Sequence, residues 1–359
     1  MSSALDLLRP DLRDFAGYSS ARRTGLRGSV WLNANESPEV SSADGGLGLN
    51  RYPDPQPRAL RERMAALYGV APDQLMVTRG SDEGIDLLVR AFCRAGRDAV
   101  AIAPPCFGMY AVCARVQGAP LVEVPLLEAD GQWRLDGDAL VNAVAERHVR
   151  IVFICSPANP TGQALDIDQI RTLAASLDGR AVLVIDEAYS EYSAISSAAG
   201  MLGEFPGLVV LRTLSKAYAL AGARIGAVLA APELIVVLRN LSAPYPVPAP
   251  SAALALAALS DPGIAQARQR CAQAVSERES LRRGLLALPD VLRVYPSQGN
   301  YLLVRFDQTQ AAFDRLLAAG IVVRDMRAMD RLGDALRISV GTPAENAALL
   351  ATLQRRAAA

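Results

Sequence analysis

The sequence predicts an α/β fold: a large unit built on a mainly parallel, seven-stranded sheet flanked by helices, then a smaller α+β unit. Three observations lead there. Seven short, almost wholly apolar runs fill the first two thirds of the chain, separated by stretches of helical periodicity. Such runs suit strands buried on both faces, the usual environment of a parallel sheet. Four alternate prolines, Pro244, Pro246, Pro248 and Pro250, then interrupt the chain, and neither a helix nor a central strand continues through them. Beyond them comes one long helical stripe, followed by strands and helices in mixed order.

Taken in order, the first 45 residues or so have little periodicity and are expected to form an arm. Strands are expected at 74–78, 99–103, 121–124, 151–155, 182–185, 209–211 and 225–229. Between the first two, Ile85, Leu88, Val89 and Phe92 recur at the spacing of one helix face. The proline segment 243–250 marks a hinge-like boundary, dividing the chain into an arm (1–45), a large domain (46–245) and a small domain (246–359). In the small domain, Ile264, Ala267, Cys271, Ala274, Leu281, Leu285 and Leu288 form a helical stripe. Strands at 291–295, 301–306, 321–323 and 336–340 and helices near 308–319 and 344–356 complete it.

Bulk properties remove several classes of function. Of 359 residues, 51% are apolar and 21% charged, with a formal net charge of zero. That balance leaves no electrostatic footprint for nucleic acid. The apolar run at 252–259 is too short to span a bilayer, and the one at 227–238 is broken by Pro232 and Glu233. Asp6, Arg9, Asp11, Arg13 and Asp14 crowd the N-terminus without an apolar stretch, so no secretory signal is expected. Five cysteines without a C-x-x-C pair point to reduced thiols and a cytoplasmic location. A single histidine, His148, rules against a histidine-based triad or a multi-histidine zinc site, and no metal is expected.

Lys216 is the only lysine among 37 basic residues. Everywhere else the chain meets its need for positive charge with arginine. A guanidinium stays protonated, whereas a lysine amine can lose its proton in a suitable environment and then attack a carbonyl to form a Schiff base.

Four segments that combine small, polar and charged residues lie where an expected strand ends, the edge at which ligands collect in open α/β sheets. Thr78-Arg79-Gly80-Ser81-Asp82-Glu83-Gly84 feeds a helix N-terminus, a natural anion site. Ser156-Pro157-Ala158-Asn159-Pro160-Thr161-Gly162 is a tight turn able to present Asn159. Asp186-Glu187-Ala188-Tyr189 puts an acid at the end of a buried strand, which is costly without a partner. Thr213-Leu214-Ser215-Lys216 is followed by Gly222-Ala223-Arg224-Ile225-Gly226, whose guanidinium suits a phosphate. Each segment alone also fits an ordinary turn, helix cap or surface charge.

In this order and spacing the four segments resemble the fold-type-I, pyridoxal-phosphate-dependent aminotransferases of class I/II, over almost the whole chain. The resemblance implies a pyridoxal 5'-phosphate cofactor held by Lys216 as a Schiff base. It implies that Asp186 pairs with the pyridine nitrogen, that Asn159 and Tyr189 hydrogen-bond the ring oxygen, and that Gly80, Ser81, Asp82, Thr213, Ser215 and Arg224 hold the phosphate. It further implies that Tyr110, in Pro104-Pro105-Cys106-Phe107-Gly108-Met109-Tyr110, stacks on the ring, and that Tyr52, in Arg51-Tyr52-Pro53-Asp54, reaches the cofactor phosphate of a partner subunit in a homodimer.

A narrower likeness comes from Tyr18-Ser19-Ser20-Ala21-Arg22-Arg23, Val30-Trp31-Leu32-Asn33-Ala34-Asn35-Glu36-Ser37-Pro38, Gly320-Ile321-Val322-Val323-Arg324-Asp325 and Leu336-Arg337-Ile338-Ser339-Val340-Gly341. These look like the histidinol-phosphate branch of that family, which exchanges an amino group between histidinol phosphate and 2-oxoglutarate, giving imidazole-acetol phosphate and glutamate in histidine biosynthesis. One site must then accept a substrate phosphate and a carboxylate in turn. Arg324 and Arg337 are the candidates, since a guanidinium fork engages either anion, and Tyr18 and Asn35 are further substrate candidates. A salt bridge with Asp325 or Asp330 is the alternative for Arg324. An aromatic or broad-range aminotransferase and a threonine-phosphate decarboxylase share the cofactor residues and stay open as alternatives. A non-enzymatic regulator, which would need a DNA-binding domain ahead of this fold, is not expected. Ser81 where alanine is usual, and Tyr218 where phenylalanine is common, are small departures that remove no cofactor contact.

Overall fold

The computed structural model describes residues 4–22 and 28–354. After two short 3-10 turns, Ala4–Leu7 and Pro10–Leu12, the chain runs without regular structure to helix α1 (Arg58–Tyr68). Then come β1 (Leu75–Thr78), α2 (Ser81–Phe92), β2 (Ala99–Ile102), α3 (Met109–Gln117), β3 (Leu121–Glu123), a hairpin of β4 (Leu127–Ala129) and β5 (Gln132–Arg134), α4 (Gly137–Glu146), β6 (Val149–Cys155), α5 (Ile167–Leu177) and β7 (Val182–Asp186). The larger sheet ends with β8 (Leu208–Thr213) and β9 (Gly226–Leu229), followed by α6 (Pro232–Leu241), α7 (Ala249–Ala258) and α8 (Asp261–Leu286). The remainder is β10 (Val291–Val294), β11 (Tyr301–Phe306), α9 (Thr309–Ala318), β12 (Arg324–Asp325), β13 (Ala335–Ser339) and α10 (Pro343–Gln354).

The seven expected strands form one sheet in the order β1-β9-β8-β7-β6-β2-β3. Only β9 runs antiparallel to its neighbours. Its apolar runs divide by the strand period of two. Leu75, Val77, Ala101, Val152, Ile154, Leu183, Ile185 and Val210 face one core with α1, α4 and α5, while Met76, Val100, Ile151, Phe153, Val182, Val184 and Val209 face a second core with α2, α3 and α6. Burial on both sides is why these strands read as continuous apolar runs. Ile85, Leu88, Val89 and Phe92 all turn into the second core.

A four-stranded antiparallel sheet, β10-β11-β13-β12, carries a third core with α9, α10 and the C-terminal half of α8. Val247 after the first prolines, Ala252 and Ala255 of α7, and Ala267 and Cys271 of α8 belong instead to the first core. Two elements differ from expectation. The β4–β5 hairpin has no apolar run to announce it, because its strands have three residues each and β4 is exposed throughout. The strand expected at 321–323 does not form there: those residues have no regular structure, and pairing starts at Arg324. Three apolar residues in a row meet the propensity rule, but the register of β13 supplies partners only for the two that follow. The helix expected to 356 is described to Gln354; Arg356 and, in the arm, Arg23 lie outside the described residues. No helix among the described residues is long and apolar enough to cross a membrane.

Candidate active site

Strands β6, β7 and β8 are mutually parallel, and β1 runs the same way because the antiparallel β9 separates it from β8. Their carboxyl ends therefore open at one edge. There they surround a cavity of about 140 Å³ lined by Ser81, Asp82, Asn159, Asp186, Tyr189, Thr213, Ser215, Lys216 and Arg224, together with Phe107, Cys155, Ala188 and Ala221.

One group of these residues is built for an anion. Helix α2 starts at Ser81 with Gly80 as its N-cap and no side-chain cap, so its first N–H groups are left for a ligand. Arg224 donates to the Asp82 carboxylate at 2.9 Å and to the Ala221 carbonyl at 3.2 Å. Close approach here depends on two glycines. A Cβ on Gly80, whose φ is +76°, would sit 2.5 Å from the Arg224 Nη2. A Cβ on Gly226, the register partner of both Thr78 and Thr213, would sit 2.6 Å from the Ser81 nitrogen. The Thr213 hydroxyl donates to the Ser215 Oγ at 2.9 Å and accepts from the Ser215 N–H at 3.1 Å, which fixes the turn leading to Lys216.

Asp186 offers the opposite chemistry. It is 2% exposed. Its Oδ2 accepts from the Tyr110 hydroxyl at 2.8 Å and its Oδ1 from the Ala188 N–H at 3.1 Å. Burial pushes its pKa up to about 6, against the pull of those two donors. A buried carboxylate with only neutral donors is matched by a cation placed against it, such as a protonated ring nitrogen.

Lys216 opens into the cavity with its Nζ 5.7 Å from the centre of the Tyr189 ring. Desolvation by the cavity walls, and next the charge of Arg337, lower its pKa. Both effects favour the neutral, nucleophilic amine.

Arg337 comes from the smaller sheet and donates from Nη1 to the Asn159 Oδ1. That bond occupies the Asn159 oxygen and leaves its NH₂ group as a donor. Beneath Arg337 lies Tyr301, whose ring centre is 5.5 Å from the guanidinium carbon and whose hydroxyl donates to the Ala158 carbonyl at 2.7 Å. Tyr301 also packs edge-on against Tyr189 at 5.0 Å, and burial raises the Tyr189 pKa, keeping it a donor. Arg324 is exposed and stands opposite Arg337 in register. Among the described residues no carboxylate pairs with it: Asp325 binds Arg327 at 2.6 Å and Asp330 faces Arg331 at 3.8 Å.

Tyr110, expected to stack on the ring, is not among the residues lining this cavity. Tyr110 is fully buried beneath the cavity, stacked on Phe153 at 4.9 Å, and its hydroxyl supports Asp186. Phe107 is the aromatic on the cavity wall. Because α3 begins at Met109, Tyr110 in its first turn points into the core while Phe107 stays in the loop above. Tyr301 and the Glu187–Arg212 ion pair at 2.6 Å behind Asp186 also escaped the sequence reading. The acid of Asp186-Glu187 and the arginine two residues before Leu214 were the available signal.

Tyr18, Asn35 and Tyr52 are not brought to this cavity within one chain. Tyr18 is 65% and Tyr52 50% exposed. Tyr52 stacks on Tyr245 at 4.4 Å, and Asn35 is exposed with φ +54°. The buried Glu36 carboxylate fastens this part of the arm, accepting from Arg22 at 2.8 Å, Arg51 at 2.9 Å and the Tyr52 N–H at 2.7 Å.

The donor set fits pyridoxal phosphate: helix amides, a hydroxyl and Arg224 for a phosphate, a buried carboxylate for a ring nitrogen, an aromatic wall and a depressed-pKa amine for the carbonyl. No group of three or more His, Cys, Asp or Glu among the described residues could hold a metal ion.

Comparison with known proteins gives the same picture. The family model described as aminotransferase class I and II matches residues 27–353. The chain is 57% identical over 359 residues to the histidinol-phosphate aminotransferase of Stenotrophomonas maltophilia, covering 100% of this chain and 99% of that one. It is 56% identical over 354 residues to that of Xanthomonas euvesicatoria, covering 99% and 98%. Among solved structures, it is similar to the Sinorhizobium meliloti histidinol-phosphate aminotransferase in complex with pyridoxal-5'-phosphate, with a TM-score of 0.77, 27% identity, and coverage of 85% of this chain and 82% of that one.

Proposed function

The chain belongs to the class I and II aminotransferases, and on that premise we propose that it moves an amino group between L-histidinol phosphate and 2-oxoglutarate, forming imidazole-acetol phosphate and glutamate. The observation that carries the substrate reading is Arg337, which donates to Asn159 on the cavity wall and has the exposed Arg324 as its register partner on the next strand. Their guanidiniums suit a substrate phosphate in one half of the reaction and a carboxylate in the other. Full-length identity of 54–57% to relatives bearing that name supports it over a broad-range aminotransferase or a decarboxylase.

Bound pyridoxal phosphate supplies an electron-withdrawing ring on which an amino group can be held while the neighbouring carbon gives up a proton. Gly80, Ser81, Asp82, Thr213, Ser215 and Arg224 would hold the phosphate, and Asp186 would keep the ring nitrogen protonated. Asn159 and Tyr189 would donate to the ring oxygen, and Phe107 would cover a ring face. Lys216 would be the base that takes the proton from the substrate α-carbon and moves it within the site. Its depressed pKa is what that duty requires, and no histidine is needed.

The homodimer belongs to the same proposal. Eight of the seventeen large apolar side chains exposed among the described residues lie between Phe15 and Tyr52. A cluster of this kind is suited to burial against a second copy, which would bring the partner's Tyr52 to the cofactor phosphate and give Tyr18 and Asn35 a place at a substrate. A cytoplasmic location is supported by five free, buried cysteines.

The test is to mix cofactor-loaded protein with L-histidinol phosphate, without keto acid, and record the absorption spectrum. Conversion of the bound cofactor to its amino form, reversed by 2-oxoglutarate, is the expected outcome. Conversion by free amino acids but not by histidinol phosphate would overturn the substrate assignment.

A further inference from the structure

Three residues on one face of β11 and β13 make polar contacts to the larger unit, and Leu303 and Ala335 of the same face pack into the first core. Register partners on antiparallel strands share a face, and residues two apart stay on it. Tyr301, Leu303 and Arg305 on β11 pair with Ser339, Arg337 and Ala335 on β13, so Tyr301, Arg305 and Arg337 lie on the same side. Two of the three contacts are at the cavity: Tyr301 donates to the Ala158 carbonyl and Arg337 to Asn159. The third is remote. Arg305 donates to the Glu128 Oε2 at 2.8 Å, on the β4–β5 hairpin that leaves the larger sheet after β3.

The remote contact is a network. Glu128 Oε1 accepts from the Tyr295 hydroxyl, which itself accepts from the Arg305 Nε at 2.5 Å. Arg305 also donates to Asp334 and to the Arg331 carbonyl, while Arg331 donates to the Leu126 carbonyl at 2.8 Å. Trp133, 2% exposed on the same hairpin, packs against the Tyr295 ring at 5.9 Å. The side chains of Glu128 and Arg305 are 29% and 16% exposed, so water screens the pair only in part.

Arg337 keeps further guanidinium donors for a substrate anion while its Nη1 holds Asn159, whose NH₂ group stays free for the ring. Where those donors stand depends on how this face of the sheet is seated, and the hairpin network is its polar anchor away from the cavity. We propose that Glu128 is a positioning residue that, through Arg305, holds Arg337 at the distance from Lys216 at which substrate binds. This rests on the reading of Arg337 as the substrate-anion residue.

The test compares cofactor-loaded Glu128→Leu, Arg305→Leu and Glu128→Gln with the unsubstituted enzyme. Glutamine keeps an acceptor for Tyr295 and Arg305 but no charge. Both leucine variants are expected to raise KM for histidinol phosphate and for 2-oxoglutarate roughly tenfold, the scale of a small misplacement, with kcat and cofactor content unchanged. Competitive inhibition by inorganic phosphate should weaken in parallel, and Glu128→Gln should recover most of the loss. Unchanged KM in active variants, even with a lower Tm, would overturn the proposal, as would a fall in kcat accompanied by cofactor loss. If Glu128→Leu does not fold, Arg305→Leu and Glu128→Gln decide by the same criteria. Failure of the unsubstituted enzyme to turn over histidinol phosphate would instead sink the substrate reading, and the network would then be judged on 2-oxoglutarate alone.

Discussion

Arg324 and Arg337 are direct register partners across β12 and β13, two like charges side by side, and among the described residues no carboxylate forms an ion pair with Arg324. Like charges directly opposite destabilise a strand pair, so the arrangement is one that an anion relieves. Arg337→Gln is expected to raise KM for both substrates by roughly 10–100-fold, the cost of a lost charged hydrogen bond of about 1.5–3 kcal/mol. Arg324→Gln should act in the same direction and less strongly, being more exposed. Steady-state kinetics with each substrate varied in turn decides it; unchanged KM in both variants would remove the anion role.

Lys216→Arg keeps the charge and removes the amine that can become neutral. It is expected to fold, to bind cofactor without the absorbance of a covalent lysine link, and to lose activity by roughly 10³-fold or more. Appreciable turnover by this variant would contradict the role drawn from the lone lysine.

Asp186 makes stability depend on pH in a stated direction. Its pKa rises in the fold to about 6 from 3.8, so the folded state holds the proton more tightly than the unfolded one. The cofactor-free protein should therefore lose stability as pH rises from about 4 to about 6, by at most about 3 kcal/mol. Asp186→Asn should flatten that slope and abolish activity. Urea titrations of both proteins across this range are the measurement, and equal slopes would count against the burial argument.

Gly226→Ala puts a methyl group 2.5 Å from the Gly80 carbonyl carbon. Neither backbone can yield cheaply, so β9 and the start of α2 must separate, at about 1–3 kcal/mol. Cofactor affinity, measured by equilibrium dialysis, should fall more than overall stability. An unaltered cofactor affinity would show that the α2 amides are not the phosphate site.

Tyr52 gives the prediction on assembly. Light scattering should find a dimer. Mixing inactive Tyr52→Ala, Lys216→Ala double mutant with unsubstituted protein should give hybrids with less than half the activity of the parent dimer, because the site containing the intact Lys216 lacks the partner's Tyr52. Activity at half or above would place Tyr52 outside the partner's site.

How far the sequence reached depends on how local each signal is. The seven strands of the larger sheet were legible because burial on both faces leaves runs such as Val182 to Ile185 that depend on no distant register. The hairpin was not, since Glu128 and Trp133 sit on three-residue strands with little apolar content. Phe107 and Tyr110 are three residues apart, and which one faces the cavity turns on where α3 starts. One residue of shift in that start rotates the side chain by about 100°.

By itself the sequence determined that one amine differs from every other cation in the chain, that an acid ends a buried strand, and that a small-residue turn opens a helix. Each is a property of a few neighbouring residues. The tertiary structure alone decided that Arg337 reaches Asn159 across 178 residues, that Arg324 opposes it, and that Glu128 finds Arg305 across 177. With 37 basic and 37 acidic residues, nearly any pairing is chemically acceptable, and only strand order and register choose among them.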